Sequence, residues 1–248
     1  MRPMSRAVLV TGASRGIGRA VAEMFAAHGD RVALHYASRR AAAEEAYAGL
    51  AGSGHVLVHG DVSTPEGAAA LVDAAVDGLG GVDVLVNNAA ANVAHPLDRT
   101  SFEDWQNAWR QVVDVNLLGA AHVSYCAARN MIEREVAGRI VNIGSRGAFR
   151  GEPDHPAYGA AKAALHAMGQ SLAVHLAPYG IGVASVAPGF VETERVADRL
   201  TEDVRQQSPF GRVAAPGDVA SAVHYLASPG ALWSSGAVLD VNGASHLR

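Results

Sequence analysis

The stretch VTGASRGIGRA, residues 10–20, decides how the rest of the chain is read. Its glycines, Gly12, Gly16 and Gly18, follow the apolar run AVLVT (7–11) and lead into an Ala-rich helical pattern over 16–28. At such a junction glycine lets the backbone turn tightly and approach a diphosphate closely. The helix start beyond it offers unbonded N–H groups and the positive end of a dipole. Many turns contain glycines, but this cluster sits at the first strand-to-helix junction, which makes it a nucleotide-binding turn. Its spacing, G-x-x-x-G-x-G, departs from the G-x-G-x-x-G of many dinucleotide folds.

Outward from this turn, apolar runs recur at 31–36 (RVALHY), 55–59 (HVLVH), 82–87 (VDVLVN), 138–144 (GRIVNIG), 181–187 (IGVASVA) and 236–241 (GAVLDV). Their length and β-branched content predict strands buried on both faces. Between them lie segments long enough for helices, at 39–51, 65–79, 103–136, 158–178 and 216–227. Strict alternation predicts an α/β fold, a Rossmann-type doubly wound sheet of about seven parallel strands with helices on both faces. No linker, repeat or low-complexity tract divides the chain, so residues 1–248 are expected to form a single dinucleotide-binding domain. The least regular stretch, 190–214, falls between a strand and the last helix, where a mobile substrate lid over a cleft is expected.

Composition narrows the function classes. With 49% apolar residues in 248 positions, the chain can bury a large core. The formal net charge is −4 and no basic block stands out, which points away from nucleic acid and from anionic membranes. The apolar run near the N-terminus is too short for a signal peptide or a membrane span, and a cytoplasmic location is expected. Cys126 has no cysteine partner, and the eleven histidines include no H-E-x-x-H pair or close cluster, so no metal site is expected.

One lysine stands among 19 arginines: Lys162, in YGAAK (158–162), four residues after Tyr158. In a helix these two side chains share a face. A phenol titrates near ~10 and is a poor acid–base catalyst at neutral pH unless its anion is stabilised; a nearby ammonium does so, the more strongly where water is excluded. Arginine is wide, planar and never deprotonated, whereas lysine is a compact charge with three donors and a tunable pKa. Lys162 is therefore read as chemically required. Ser145 ends the run GRIVNIGS, at the carboxyl end of a strand, where its hydroxyl can donate to a substrate carbonyl. The surrounding IGSRG lacks the elbow of a hydrolase nucleophile. Asn116, in VVDVNLLGA, is a poor helix-interior residue and predicts a local distortion, with a bound water one reason for it.

Taken together, TGASRGIG (11–18), NNAA (87–90), Asn116, Ser145, YGAAK and PGFVET (188–193) resemble the short-chain dehydrogenase/reductase family over essentially the whole chain. Within it the sequence is most similar to the bacterial 3-oxoacyl-[acyl-carrier-protein] reductase group, whose tail resembles SPFGRVAAPGDVASAVHYLAS. NNAA in place of NNAG, and NGA where a second glycine often closes the last turn, are departures that remove no reactive group. The resemblance implies a reversible reduction of a ketone to a secondary alcohol. Tyr158 would serve as proton donor, Ser145 would stabilise the oxygen, Lys162 would lower the Tyr pKa and bind the nicotinamide ribose, and Asn116 would hold a water chain. It also implies cofactor contacts from Gly12, Ser14, Arg15, Gly16, Ile17 and Gly18, from Asp61 and Val62 to adenine, and from Asn88 and Ala89 to the adenosine ribose. Tyr158 and Lys162 would meet the ribose, and Pro188, Gly189, Val191 and Thr193 the carboxamide end. Tyr36 stands where an NAD-selecting acid would be sought, while Arg15, Ser38 and Arg39 are near enough in sequence to meet a 2′-phosphate, so NADP(H) is expected over NAD(H).

Family members pair the helices corresponding to 103–136 and 158–178 across a subunit interface, so a homotetramer is expected, with a dimer as the alternative. Carrier-protein partners imply basic residues at the cleft mouth. Arg129, Arg134 and Arg139 lie near one candidate region, but Tyr179 and no basic residue lies near the other. The substrate reading stays open between a 3-oxoacyl thioester and a polyketide, sugar or steroid ketone taken by a tailoring reductase. A non-catalytic NADP-sensing protein is the alternative of a different class. His155, in GEPDHPAY, is placed either against substrate or on the loop alone.

Overall fold

The computed structural model describes residues 5–248, apart from the side chains of Arg195, Asp198 and Arg199; residues 1–4 of the expected domain lie outside the described residues. Seven strands form one parallel sheet: β1 (Ala7–Val10), β2 (Arg31–Tyr36), β3 (Val56–His59), β4 (Val84–Asn87), β5 (Arg139–Ile143), β6 (Gly182–Pro188) and β7 (Val238–Val241). Their order is β3-β2-β1-β4-β5-β6-β7. The direction of winding reverses between β1 and β4, which opens a crevice at the carboxyl ends of the strands.

Alternate residues of each strand feed two cores. Val8, Val10, Val32, Leu34 and Val186 pack on one face with Phe25 of α1 (Gly16–Ala27) and Val223 of α8 (Pro216–Leu226). Ala7, Leu9, Leu85, Ile140 and Val183 pack on the other with Leu71 of α3 (Pro65–Leu79), Met131 of α5 (Ala120–Glu133) and Leu176 of α6 (Pro156–Leu176). Each fully buried side chain of this size contributes roughly 1.5–3 kcal/mol. Local signals set the helix ends. Thr64 accepts the Gly67 N–H ahead of α3 with Pro65 in the first turn, Gly80 closes α3 at φ +78°, and Ser101 caps α4 (Phe102–Val113).

The fold refines the sequence reading in three places. The helical pattern over 103–136 is broken into α4 and α5 by a π-helical turn, Asp114–Gly119. Burial on both faces holds for the inner strands but not for β3 or β7, where His59, Leu239 and Asp240 are exposed because these strands form the sheet edges. The 190–214 excursion is not structureless: it carries a 3₁₀ turn (Glu194–Arg199) and a single helical turn, α7 (Glu202–Arg205). Its base is pinned where Val191 pairs with Ala214, the Glu192 N–H donating to Ala214 O at 2.8 Å. Among the described residues no helix is long and apolar enough to cross a membrane.

Candidate active site

At the end of β1 the chain turns through Gly12 (φ +63°) and Gly16 (φ +55°), a region that side chains disfavour. A Cβ on Gly12 would meet the Ala89 backbone at 2.9 Å, and one on Gly18 would overlap Asn88 Nδ2 and Gly12 O. Asn88 Nδ2 donates to the carbonyls of Thr11 (2.8 Å) and Gly12 (3.0 Å), and Thr11 Oγ1 accepts the Asn88 and Ala89 N–H groups. The glycine turn is thereby fastened to the end of β4. The first turn of α1 has no side-chain cap and no acidic residue, so its donors are left for an anion. This uncapped start behind a cradle that any Cβ would fill fits a dinucleotide diphosphate.

His35 holds the turn from below and escaped the sequence reading. Its Nδ1 accepts the Gly12 N–H at 3.0 Å, which fixes the proton on Nε2, and Nε2–H donates to Gly60 O at 3.1 Å. Burial pushes its pKa down to about 4, so the imidazole is neutral and keeps its acceptor. The available signal was a polar residue inside the apolar run RVALHY.

At the end of the cleft beside β2, where adenosine contacts were expected, Arg15, Tyr36, Ser38, Arg39, Asp61 and Val62 share the wall of one cleft of about 360 Å³. No carboxylate follows β2: Glu44 is drawn away to Arg40 at 2.8 Å. Asp61 accepts the Ser63 N–H (2.9 Å) and hydroxyl (2.7 Å), and these bonds hold its carboxyl below the ordinary aspartate value.

The opposite end of the cleft gathers the reactive groups. Lys162 is 2% exposed; its Nζ donates to Ile143 O at 2.6 Å and lies 5.7 Å from the Tyr158 ring centroid. The two residues share a face of α6, and both line the cleft with Ser145. Ser145 Oγ accepts the Gly147 N–H at 3.0 Å, capping a 3₁₀ turn; that bond uses a lone pair and leaves the hydroxyl proton for another acceptor. Asn116 sits in the π-helical turn, which is the distortion its presence predicted. It does not line the cleft; its amide clamps Ala91, accepting the N–H at 2.7 Å and donating to the carbonyl at 2.9 Å. The remaining expected contacts, Ser14, Ile17, Ala89, Pro188, Gly189, Val191 and Thr193, line the same cleft.

The structure adds residues that the sequence did not single out, namely Asn92, Arg146, Glu152 and Phe190 in the cleft wall, and His95 behind it. His155 precedes α6 without a side-chain cap bond, and Pro156 has no N–H. The next donor, Ala157 N–H, is accepted by His95 Nε2 at 3.2 Å, while His95 Nδ1 donates to Val93 O at 2.8 Å. A cap supplied from 62 residues away leaves no local signature. His155 itself lines the cleft, its Nδ1 3.2 Å from Val93 O.

The three arginines near the candidate carrier-protein region do not line the cleft. Arg139 opens β5, at the amino edge of the sheet opposite the cleft, and its guanidinium donates to the carbonyls of Ala137, Gly138, Gly180 and Ser228. Arg134 pairs with Asp83 at 2.9 Å, and Arg129 with Glu133 at 2.9 Å. Among the described residues no group of acids, histidines or cysteines could hold a metal ion.

The family model described as Enoyl-(Acyl carrier protein) reductase matches residues 12–246. The chain is 37% identical over 249 residues to 3beta-hydroxysteroid dehydrogenase 1 of Eggerthella lenta, covering 98% of this chain and 94% of that protein. It is 38% identical over 248 residues to the 3-oxoacyl-[acyl-carrier-protein] reductase FabG of Vibrio cholerae, covering 98% of each. Among solved structures it matches the acetoin dehydrogenase YohF from Salmonella typhimurium with a TM-score of 0.86 at 34% identity, over 97% of this chain and 96% of that one. It matches LugOII, described as a promiscuous reductase catalysing keto-reduction at C1 during lugdunomycin biosynthesis, with a TM-score of 0.88 at 33% identity over the whole of both chains.

Proposed function

The chain belongs to the short-chain dehydrogenase/reductase family and is an oxidoreductase of the C=O/CH–OH couple; from this we propose that it reduces a ketone to a secondary alcohol with NADPH, Tyr158 giving the proton. The observation that carries this reading is the burial of the only lysine, its ammonium against the Tyr158 ring, at the reactive end of the cleft. When bound, the reduced nicotinamide supplies the hydride. Ser145 Oγ–H orients the carbonyl oxygen and stabilises charge on it. Tyr158 Oη passes its proton to that oxygen, and Lys162 favours the phenolate left behind. Asn116, through its hold on Ala91, fixes the backbone that follows β4 and is assigned to proton resupply. In oxidation the proton moves the other way.

Arg15, Ser38 and Arg39 are assigned to the 2′-phosphate, supported by the missing carboxylate after β2. A homotetramer in the cytoplasm is proposed, supported by the apolar residues that the isolated chain leaves exposed. Among them are Tyr125 on α5, Val174 on α6, and Leu239 on the edge strand β7. The 190–214 segment is assigned as a lid hinged at its pinned base.

A 3-oxoacyl thioester is one substrate reading, in line with the relatives named for that reaction. A second reading, a free ketone of polyketide, sugar or steroid type, is supported by the internal engagement of Arg134 and Arg139, which takes both away from a carrier protein. Oxidation of NADPH and NADH over 3-oxoacyl thioesters, cyclic ketones and sugars tests the proposal. Turnover of at least one ketone with NADPH preferred is expected. Cofactor binding without turnover of any carbonyl would turn the reading to a sensing protein.

A further inference from the structure

Past Ser145 the cleft wall holds a guanidinium that, among the described residues, has no carboxylate within ion-pair distance. Arg146 is 4% exposed. Its Nη1 donates to Ser245 Oγ at 2.8 Å and its Nη2 to Gln207 Oε1 at 2.7 Å, and it lies 4.9 Å from the Phe190 ring centroid. Arg150 approaches the same two residues, 3.4 Å from Gln207 Oε1 and 3.4 Å from Ser245 O. Two cations thus converge on one neutral amide oxygen. Among the described residues neither arginine is in an ion pair. Burial first, and then Arg150, lower the Arg146 pKa from its ordinary value, with Glu152 opposing from beyond ion-pair distance.

Arg146 and Phe190 also line an adjoining cavity of about 250 Å³, between the 190–214 excursion and the C-terminal segment. The acids of that cavity are already matched, Asp218 by Arg212 at 2.7 Å and Asp240 by Arg248 at 2.9 Å. Among the described residues that line it, the charge left without an acid is that of Arg146, with the exposed Arg150 approaching the same Gln207. A buried guanidinium is costly unless an anion or well-placed acceptors answer it. Hydrogen bonds to an anion are roughly twice as strong as those to a neutral acceptor, so an anionic oxygen in the place of Gln207 Oε1 improves both contacts.

We propose that Arg146 and Arg150, with Ser245, form a subsite for a carboxylate or phosphate carried by the substrate beyond its reacting carbonyl. As a substrate subsite it rests on the ketone-reductase reading. Because Gln207 follows α7 in the excursion, an entering anion exchanges with a side chain of the lid.

Two measurements on the full chain test it. Calorimetric titration with succinate and, separately, inorganic phosphate should show binding to the wild type. Binding should be lost in Gln207→Glu, which supplies the missing carboxylate and should raise the unfolding temperature. The anion that binds more tightly identifies the source chemistry. In steady state with NADPH, ketones bearing a terminal carboxylate or phosphate should exceed their neutral methyl esters in kcat/KM by roughly 10-fold or more, and the ratio should fall towards one in Arg150→Gln and Gln207→Glu. Neutral esters reduced with an unchanged acid-to-ester ratio, or succinate and phosphate binding equally to wild type and Gln207→Glu, would overturn the subsite and leave the reductase reading standing. Anion binding that depends on Gln207 while no ketone is reduced would support the anion site and overturn the reductase reading.

Discussion

Lys162 combines two demands that no other basic side chain meets here. It is buried against the β5 carbonyl of Ile143, and it brings positive charge beside the Tyr158 ring. Arginine at this position would push a wider, planar group into a packed wall and remove the compact charge. Tyr158→Phe should lower kcat by ~100-fold or more while leaving the dissociation constant for NADPH within a few-fold, read by steady-state kinetics and fluorescence titration. Lys162→Arg should lower kcat comparably and weaken NADPH binding as well. Near-wild-type turnover in either would remove that residue from the mechanism. Cofactor choice is a second matter of single residues. Tyr36 closes β2 where an acid would bind a ribose 2′-OH, and Arg39 stands three residues on. Tyr36→Asp should move the ratio of kcat/KM values towards NADH by about 10-fold. An unchanged ratio would place the selecting contact at Arg15 or Ser38.

Elements place these groups through their ends and their interruptions. The π-helical turn between α4 and α5 faces Asn116 towards Ala91, and an unbroken helix would not present it there. The start of α6, at Pro156 just before Tyr158, hangs on His95, whose ring is buried beside Trp105 and Trp109. His95→Ala leaves the Ala157 N–H buried and unanswered, a loss of ~1–3 kcal/mol before any cavity cost. The unfolding temperature should fall by several degrees, and kcat should fall more than KM rises, since the helix that carries Tyr158 loses its anchor. His95→Gln keeps an acceptor and should restore part of kcat. Restored stability without restored kcat would make His95 structural only.

At the scale of the molecule, two buried imidazoles link the fold to pH. His35 and His166 both have pKa values pushed down to about 4, by burial first. His35 also faces His59 and Asp61, while His166 faces Lys162, Arg248 and Asp240 and stacks on Phe149 at 5.4 Å. Between pH 6.5 and 4 the unfolded chain takes up these protons and the folded chain does not. Stability is therefore full above 6.5 and is lost as pH falls through this window, by up to roughly 3 kcal/mol for each histidine. Unfolding temperatures measured from pH 8 to 4.5 should fall steeply below 6.5; a flat profile would contradict neutral burial of these rings. The alternation of seven parallel strands with helices, the glycine turn after β1 and the placing of Tyr158 and Lys162 on one face of α6 were legible in the sequence because each rests on local rules: a period of residues, a glycine that a tight turn requires, an i, i+4 spacing on one helix face. His35 under the turn, His95 capping α6, the internal engagement of Arg134 and Arg139, and the convergence of Arg146 and Arg150 on Gln207 were not. These depend on partners 23 to 89 residues away, and only the packing of the elements brings such groups within hydrogen-bonding distance.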